Sequence, residues 1–449
     1  MSDPAIHYAR KWQFASTAQT ALGLAMVGAT LFASRHNEQI DLLRFPLAWS
    51  GVLMLLDGLV RLRHGRSPLA TPADWAWSLA ASIAFWDVFE LVNLRLHNWW
   101  YTAVPRTLLG DVAFSAVSFA TVLPAVQLGD ALLRPRNESR PLPVGRSGPA
   151  GDGLLGSAAF LVALGVASLA LPLAFPRACF GLAWLFVFPL AEAALLLAGP
   201  RPLHALASPL EAWRSGDRTL AYRLLAFGIP LGFVWEGLNW GAERGWVYTV
   251  PGFESHKLFE MPLLGFTGYP VFLLEAGAVL ALVARIRSRV VGLWPVALAV
   301  GLVGFHIGCD WEARTHAAIS TAPVLGDVEE FRSITPALEQ TLGVRTPREL
   351  LEASRQRPDF HGLAVSAHLG DTQEPLLAVA LRECALADRT GMGLKWAAAM
   401  QSVGVDSIDA LAGMDVETLF ERIEQLPGRS STSAPDLMLM RLWISKARR

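Results

Sequence analysis

The chain has 449 residues, 53% hydrophobic and only 17% charged, with a formal net charge of −1. An average soluble protein carries about 25% charged residues, so most of the length is excluded from ordinary water-soluble folds, and the charge gives no reason to expect nucleic acid. Three cysteines, Cys179, Cys309 and Cys384, lie too far apart for a disulfide framework or a zinc spacing.

In chain order, nine apolar stretches are each long enough to cross about 30 Å of hydrocarbon. They lie near 12–33, 45–62, 75–96, 111–133, 153–175, 180–199, 219–239, 264–284 and 291–309. The first follows Arg10 and Lys11 without a small-residue cleavage site and reads as a retained helix. A Pro/Arg/Gly-rich segment, 134–151, separates the first four from the next four, and beyond Glu312 the composition becomes that of a soluble domain. The expected fold is all-α. It is a polytopic membrane protein with two parallel four-helix repeats (1–143 and 144–290) and a ninth helix (291–318), followed by a small soluble helical domain (325–449), in a bacterial inner membrane.

The repeat rests on a gapless match at an offset of 146 residues. Ile83, Val88, Glu90, Asn93, Trp100, Val104 and Pro105 coincide with Ile229, Val234, Glu236, Asn239, Trp246, Val250 and Pro251. Phe45-Pro46-Leu47-Ala48 and Phe188-Pro189-Leu190-Ala191 extend it, as do Ser67-Pro68-Leu69 and Ser208-Pro209-Leu210. An even number of spans per unit makes the copies parallel. With the N-terminus inside, the inner segments hold sixteen Lys and Arg and the outer loops seven. The positive-inside rule then places both Glu–Asn–Trp motifs, and the end of the ninth span, at the outer face.

Glutamate and asparagine three residues apart share one helix face. An ionisable group inside a span costs about 2.5–3.5 kcal/mol on insertion scales, which makes it a functional-site hypothesis. The candidate acid–base residues are Glu90, Glu236 and Glu275. Candidate ligand contacts are Asn93, Asn239, Trp100, Trp246, Tyr248, His306 and Asp310. The other reading is structural, in which Asn and Glu join helices by hydrogen bonds in lipid and the tryptophans form an interfacial belt. Asp57 with Arg61 and Asp130 with Arg134 have ion-pair spacing. Gly228/Gly232, Gly237/Gly241/Gly245 and Gly304/Gly308 are small-residue faces suited to close helix approach. The segment from Gly252 to Pro270 reads as a lid over a cavity bounded by Glu236, Asn239 and Glu275. His306 and Asp310, one turn apart, could join a glutamate at a metal, but no recognised spacing supports this, and neither a P-loop nor a dinucleotide fingerprint is present. No metal and no cofactor is expected. The expected partners are the lipid membrane and a lipid or isoprenoid ligand.

The order Glu243, Arg244-Gly245-Trp246-x-Tyr248, Pro262-Leu263 and then an apolar run with Glu275 resembles the membrane-embedded lycopene cyclase type of carotenoid enzyme. Gly265-Phe266 stand where that type usually has paired acids. The resemblance implies a long apolar ligand beside buried carboxylates, one of which, desolvated, could protonate a double bond.

In the tail, Leu342-Gly343-Val344-Arg345-Thr346-Pro347-Arg348-Glu349-Leu350 returns as Val403-Gly404-Val405-Asp406-Ser407-Ile408-Asp409-Ala410-Leu411. With Gly391-Met392-Gly393 ahead of the second copy, about 330–449 resembles the bacterial tandem helix-hairpin-helix domain of unknown function. Such hairpins grip DNA phosphates through their amides. Residues 325–449, however, hold 14 Lys/Arg and 18 Asp/Glu, a net of −4, and forfeit the electrostatic part of DNA affinity. A protein partner is expected here, and no nucleic acid.

Overall fold

The computed structural model describes residues 4–136, 154–199, 206–250, 256–290, 292–315, 319–321, 324–327, 335–360, 381–387, 392–426 and 437–448, with single positions 201, 332 and 362. These residues are mostly helical with few strands. They form two compact units: Met1–Asn98, Leu108–Ala242 and Leu258–Ala313 in the first, and Trp99–Thr107, Glu243–Lys257 and Arg314–Arg449 in the second.

The first unit is built from α1 (Pro4–Ala33), α2 (Glu38–Leu42), α3 (Arg44–His64), α4 (Pro72–Leu96), α5 (Leu108–Phe119), α6 (Val122–Leu133), α7 (Ala158–Ala174), α8 (Pro176–Cys179), α9 (Val187–Leu197), α10 (Pro209–Arg214), α11 (Thr219–Asn239), α12 (Gly268–Arg287) and α13 (Trp294–Thr315). Five helical stretches among the described residues are long and apolar enough to cross a membrane: Gln13–Ala33, Arg44–His64, Leu108–Leu133, Leu263–Arg287 and Trp294–Arg314. A sixth candidate is the pair Pro176–Trp184 and Val187–Leu197, bent by 46°. The other expected spans are helical but less suited by length or composition. The described part of the fifth, α7, has 17 residues, while α4 carries Asp74, Asp87, Glu90 and Arg95, and α11 carries Arg223 and Glu236.

Start signals are local. Thr71 and Asp74 form a reciprocal capping box with Pro72 in the first turn of α4, and Ser208 with Glu211 does the same for α10 around Pro209. Helix crossings use glycine. A Cβ on Gly23 of α1 would lie 2.5 Å from the Leu55 backbone nitrogen of α3, and one on Gly58 would lie 2.4 Å from Thr20 Oγ1. Gly228 and Gly232 of α11 likewise lie against Tyr269 and Pro270 of α12, as their spacing suggested. Gly304 and Gly308 of α13 meet nothing within 4 Å, so that stripe closes no helix contact among the described residues.

Helices from both expected repeats pack together within the first unit. Helices α3, α4 and α6 of the first stretch pack on α11 and α12 of the second. Their meeting point is aromatic. Trp235 lies 4.6 Å from Phe45, 4.9 Å from Trp49 and 5.9 Å from Trp86, and Phe272 stands 5.9 Å from Trp86 and 5.6 Å from Phe89 (ring centroids). Several acids are buried among these apolar side chains, and other large apolar residues face outward. Asp87, Glu236 and Glu275 are fully buried, while Phe14, Phe32, Leu22, Val296 and Val300 are exposed.

In the second unit the segments after the two motifs are strands, not helix continuations. β1 (Trp99–Val104) pairs antiparallel with β2 (Gly245–Tyr248), Trp100 opposite Val247 and Tyr101 opposite Trp246. The strand Ile319–Thr321, just after α13, adds in parallel to the other side of β1. Helix α4 therefore stops at His97, which takes a left-handed conformation (φ 52°), and α11 stops at Asn239. Both repeated stretches of the tail have the same local structure. The helix Thr335–Leu342 ends at Gly343 (φ 72°), and Thr346 caps Pro347–Gln356; Leu394–Ser402 is followed by Gly404 (φ 86°), and Ser407 caps Ile408–Gly413. Leu342, Leu350, Leu351, Met400, Leu411, Leu419, Ile423 and Trp443 fill one core, which Val247 joins.

Candidate functional site

The first unit holds one cluster in which acids, an imidazole and a hydroxyl meet. Asp87 of α4 faces Nδ1 of His306 on α13, with its two oxygens at 2.9 and 3.1 Å. The other ring nitrogen, Nε2, faces Ser115 Oγ of α5 at 3.2 Å and the Val112 carbonyl at 3.1 Å. Ser115 donates to Asp310 Oδ2 at 2.6 Å, and that oxygen is 3.9 Å from His306 Nε2. All four side chains are buried, Asp87 completely. Cys309 Sγ lies 3.9 Å from the Asp87 carbonyl, and Asp111 is close enough to act electrostatically on Asp310. Helical spacing explains the convergence, since His306 and Asp310 are one turn apart on α13, as are Asp111 and Ser115 on α5. Among the described residues no group of three or more His, Cys, Asp or Glu is arranged to hold a metal ion.

The motif glutamates sit elsewhere in the unit, each with an aromatic donor. Trp86 Nε1 donates to Glu90 Oε1 at 2.6 Å, and the Tyr269 hydroxyl donates to Glu236 Oε1 at 2.5 Å. Asn93 Oδ1 accepts from the Asn98 backbone at 2.8 Å and so closes the end of α4; Asn239, at the last turn of α11, is also buried. Glu275 has a backbone partner. Its Oε1 accepts from the Val187 and Phe188 N–H groups at 3.0 and 3.3 Å, capping α9 at the bend after Trp184. An N-terminus in a bend leaves orphan donors, and a carboxylate supplies the missing acceptor.

A second break is stitched in the same manner. Between α5 and α6 the chain turns at Ala120 and Thr121. Ser82 of α4 donates to the Phe119 carbonyl and accepts from Val122 and Leu123 N–H at 3.0 and 3.1 Å. The ion pairs read from spacing are present. Arg61 Nε lies 2.8 Å from Asp57 and Arg134 Nε 3.0 Å from Asp130, which Arg223 also reaches at 2.8 Å.

Trp100, Trp246 and Tyr248 belong to the second unit, on β1 and β2, where Trp246 Nε1 donates to the Tyr248 hydroxyl at 3.1 Å. Residues 252–255, the first part of the expected lid, lie outside the described residues, as do Gly391 and the residues just before it in the tail hairpin.

Of the four residues in this cluster, the sequence reading singled out His306 and Asp310 as candidates and not Asp87 or Ser115. Asp87 has no counterpart in the second copy, where Phe233 stands, and Ser115 is 191 residues from its histidine. One signal was available. A histidine and an aspartate one turn apart on an apolar helix require buried partners, and Asp87 is the unduplicated acid of α4.

Residues 333–449 match the model of a family described as a domain of unknown function, DUF4332. No curated protein and no solved structure matches the chain.

Proposed function

We propose that the chain is a nine-span membrane protein with two parallel four-helix repeats, an intramembrane site for an apolar lipid or isoprenoid ligand, and a helix-hairpin-helix tail that binds a protein partner. The site centres on His306 with Asp87, Ser115 and Asp310, and its chemistry is acid–base. One observation carries this reading: an imidazole bound to a carboxylate through Nδ1 and facing a hydroxyl and a second carboxylate through Nε2. It stands on a helix whose other face is exposed and apolar, with Val296, Val300, Val303 and Ile307. Ionisable groups so placed are expensive in lipid and mark function. Glu90, Glu236 and Glu275 keep a supporting role, because aromatic donors and the α9 backbone already engage them.

Parallel repeats are supported by the gapless match at an offset of 146 residues and by an even number of expected spans in each copy.

The test is mass spectrometry of lipids that co-purify with the detergent-extracted protein. Wild type should retain a defined apolar species, and His306→Gln or Asp310→Asn should lose it or carry it chemically altered. Bulk membrane lipid alone, identical in wild type and variants, would favour the second reading, a non-enzymatic sensor or scaffold acting through its tail.

A further inference from the structure

The hydrogen bonds around Ser115 have a direction. Both ring nitrogens of His306 face acceptors, Nδ1 the Asp87 carboxylate and Nε2 the Val112 carbonyl and Ser115 Oγ. A ring that donates through both nitrogens gives its Nδ1–H to Asp87 and shares its one Nε2–H between the Val112 carbonyl and Ser115 Oγ. Ser115 then receives from His306, and its one proton has three acceptors in reach, the Asp111 carbonyl at 2.9 Å, the Val112 carbonyl at 3.2 Å and Asp310 Oδ2 at 2.6 Å, of which the Asp310 carboxylate is the shortest. Four groups on three helices form one uninterrupted chain, Asp87–His306–Ser115–Asp310, and Asp310 lies beside Trp311, whose indole is exposed.

We propose that Ser115 is a proton-relay residue, and that the chain delivers a proton from His306 to Asp310, the group that exchanges it with ligand or solvent. This rests on the acid–base reading of the His306 site. In the step, the Nε2–H bond of His306 breaks as a new O–H bond forms on Ser115. The original Ser115 O–H bond breaks as an O–H bond forms on Asp310. The imidazole becomes neutral, the Asp310 carboxylate becomes a carboxylic acid, and no other reactant is consumed. Asp87 fixes the ring so that Nε2 keeps pointing at Ser115. Burial favours such a pathway, because proton transfer needs donors and acceptors held at hydrogen-bond distance. A purely cohesive cluster would need the bonds but not their order.

The experiment measures exchange of the His306 ring N–H with water in micelle-bound protein carrying 15N-histidine, the signal being assigned by its loss in His306→Gln. Ser115→Ala and Asp310→Asn should slow exchange by about tenfold or more, given that positioned acid–base groups contribute about 100-fold and upward. Ser115→Thr, which keeps the hydroxyl, should restore it. Ser115→Cys keeps the volume but donates weakly, so it should stay slow, and it serves if the alanine variant fails to fold. Wild-type exchange in Ser115→Cys or Ser115→Ala, or slow exchange in Ser115→Thr, would overturn the relay. Lipid retention that depends on His306 would survive that result, so the two readings fail separately.

Discussion

The ring of Tyr269 occupies the space that Gly232 leaves open: a Cβ on Gly232 would lie 2.4 Å from Tyr269 Cδ2. At the matching position of the first copy, 146 residues earlier, stands Trp86. Trp86 donates to Glu90 one turn ahead on its own helix, while Tyr269 reaches Glu236 from α12. Glu90 and Glu236 thus each have an aromatic donor, supplied by different elements.

Gly232→Ala should therefore destabilise the protein by about 1–3 kcal/mol, the range of overpacking. Gly237→Ala, whose Cβ would meet Phe259 at an ordinary 3.7 Å, should change little. Thermal unfolding in detergent compares them, and equal midpoints would refute the close packing of α11 on Tyr269.

Ser82→Ala removes the one side chain that serves three backbone groups at the α5–α6 break. Unsatisfied buried polar groups cost about 1–3 kcal/mol each, so the loss should exceed that of Ser78→Ala, whose single contact to Gln127 is 3.4 Å long. The same unfolding assay checks the order of the two variants.

Sidedness is testable in cells. With sixteen inner against seven outer Lys and Arg, a cysteine placed at position 255 should react with an impermeant thiol reagent and one at 140 should not. The opposite pattern would invert the topology and put the tail inside.

The tail should not bind duplex DNA. Its net charge of −4 over 325–449 removes the counterion-release term that dominates non-specific affinity. Full-length protein in detergent, at low micromolar concentration and physiological salt, should show no saturable binding. A salt-sensitive shift would defeat both this expectation and an outer location.

What was legible in the sequence was whatever depends on short spacing. Helix stretches, the ion pairs of Asp57 and Asp130, the Gly228/Gly232 crossing and the two similar tail stretches are all set within a few residues. Pairings across long separations were not legible. Trp99-Trp100-Tyr101-Thr102-Ala103-Val104 is rich in aromatic and β-branched residues, which favour strands, but beyond the end of an apolar span it read as an outer loop. Which acid faces His306 depends on how α4 and α13 are set against each other, and periodicity along one helix carries no such information.

The three-stranded sheet also constrains how the protein is made. Trp99 emerges from the ribosome about 150 residues before its partner Tyr248, and the third strand follows later still, so the ladder is an intrinsically late, non-local pairing. During that interval β1 offers an unpaired edge, which is a template for wrong association. A chain cut after the first four helices, or stalled there, would keep that edge open for good.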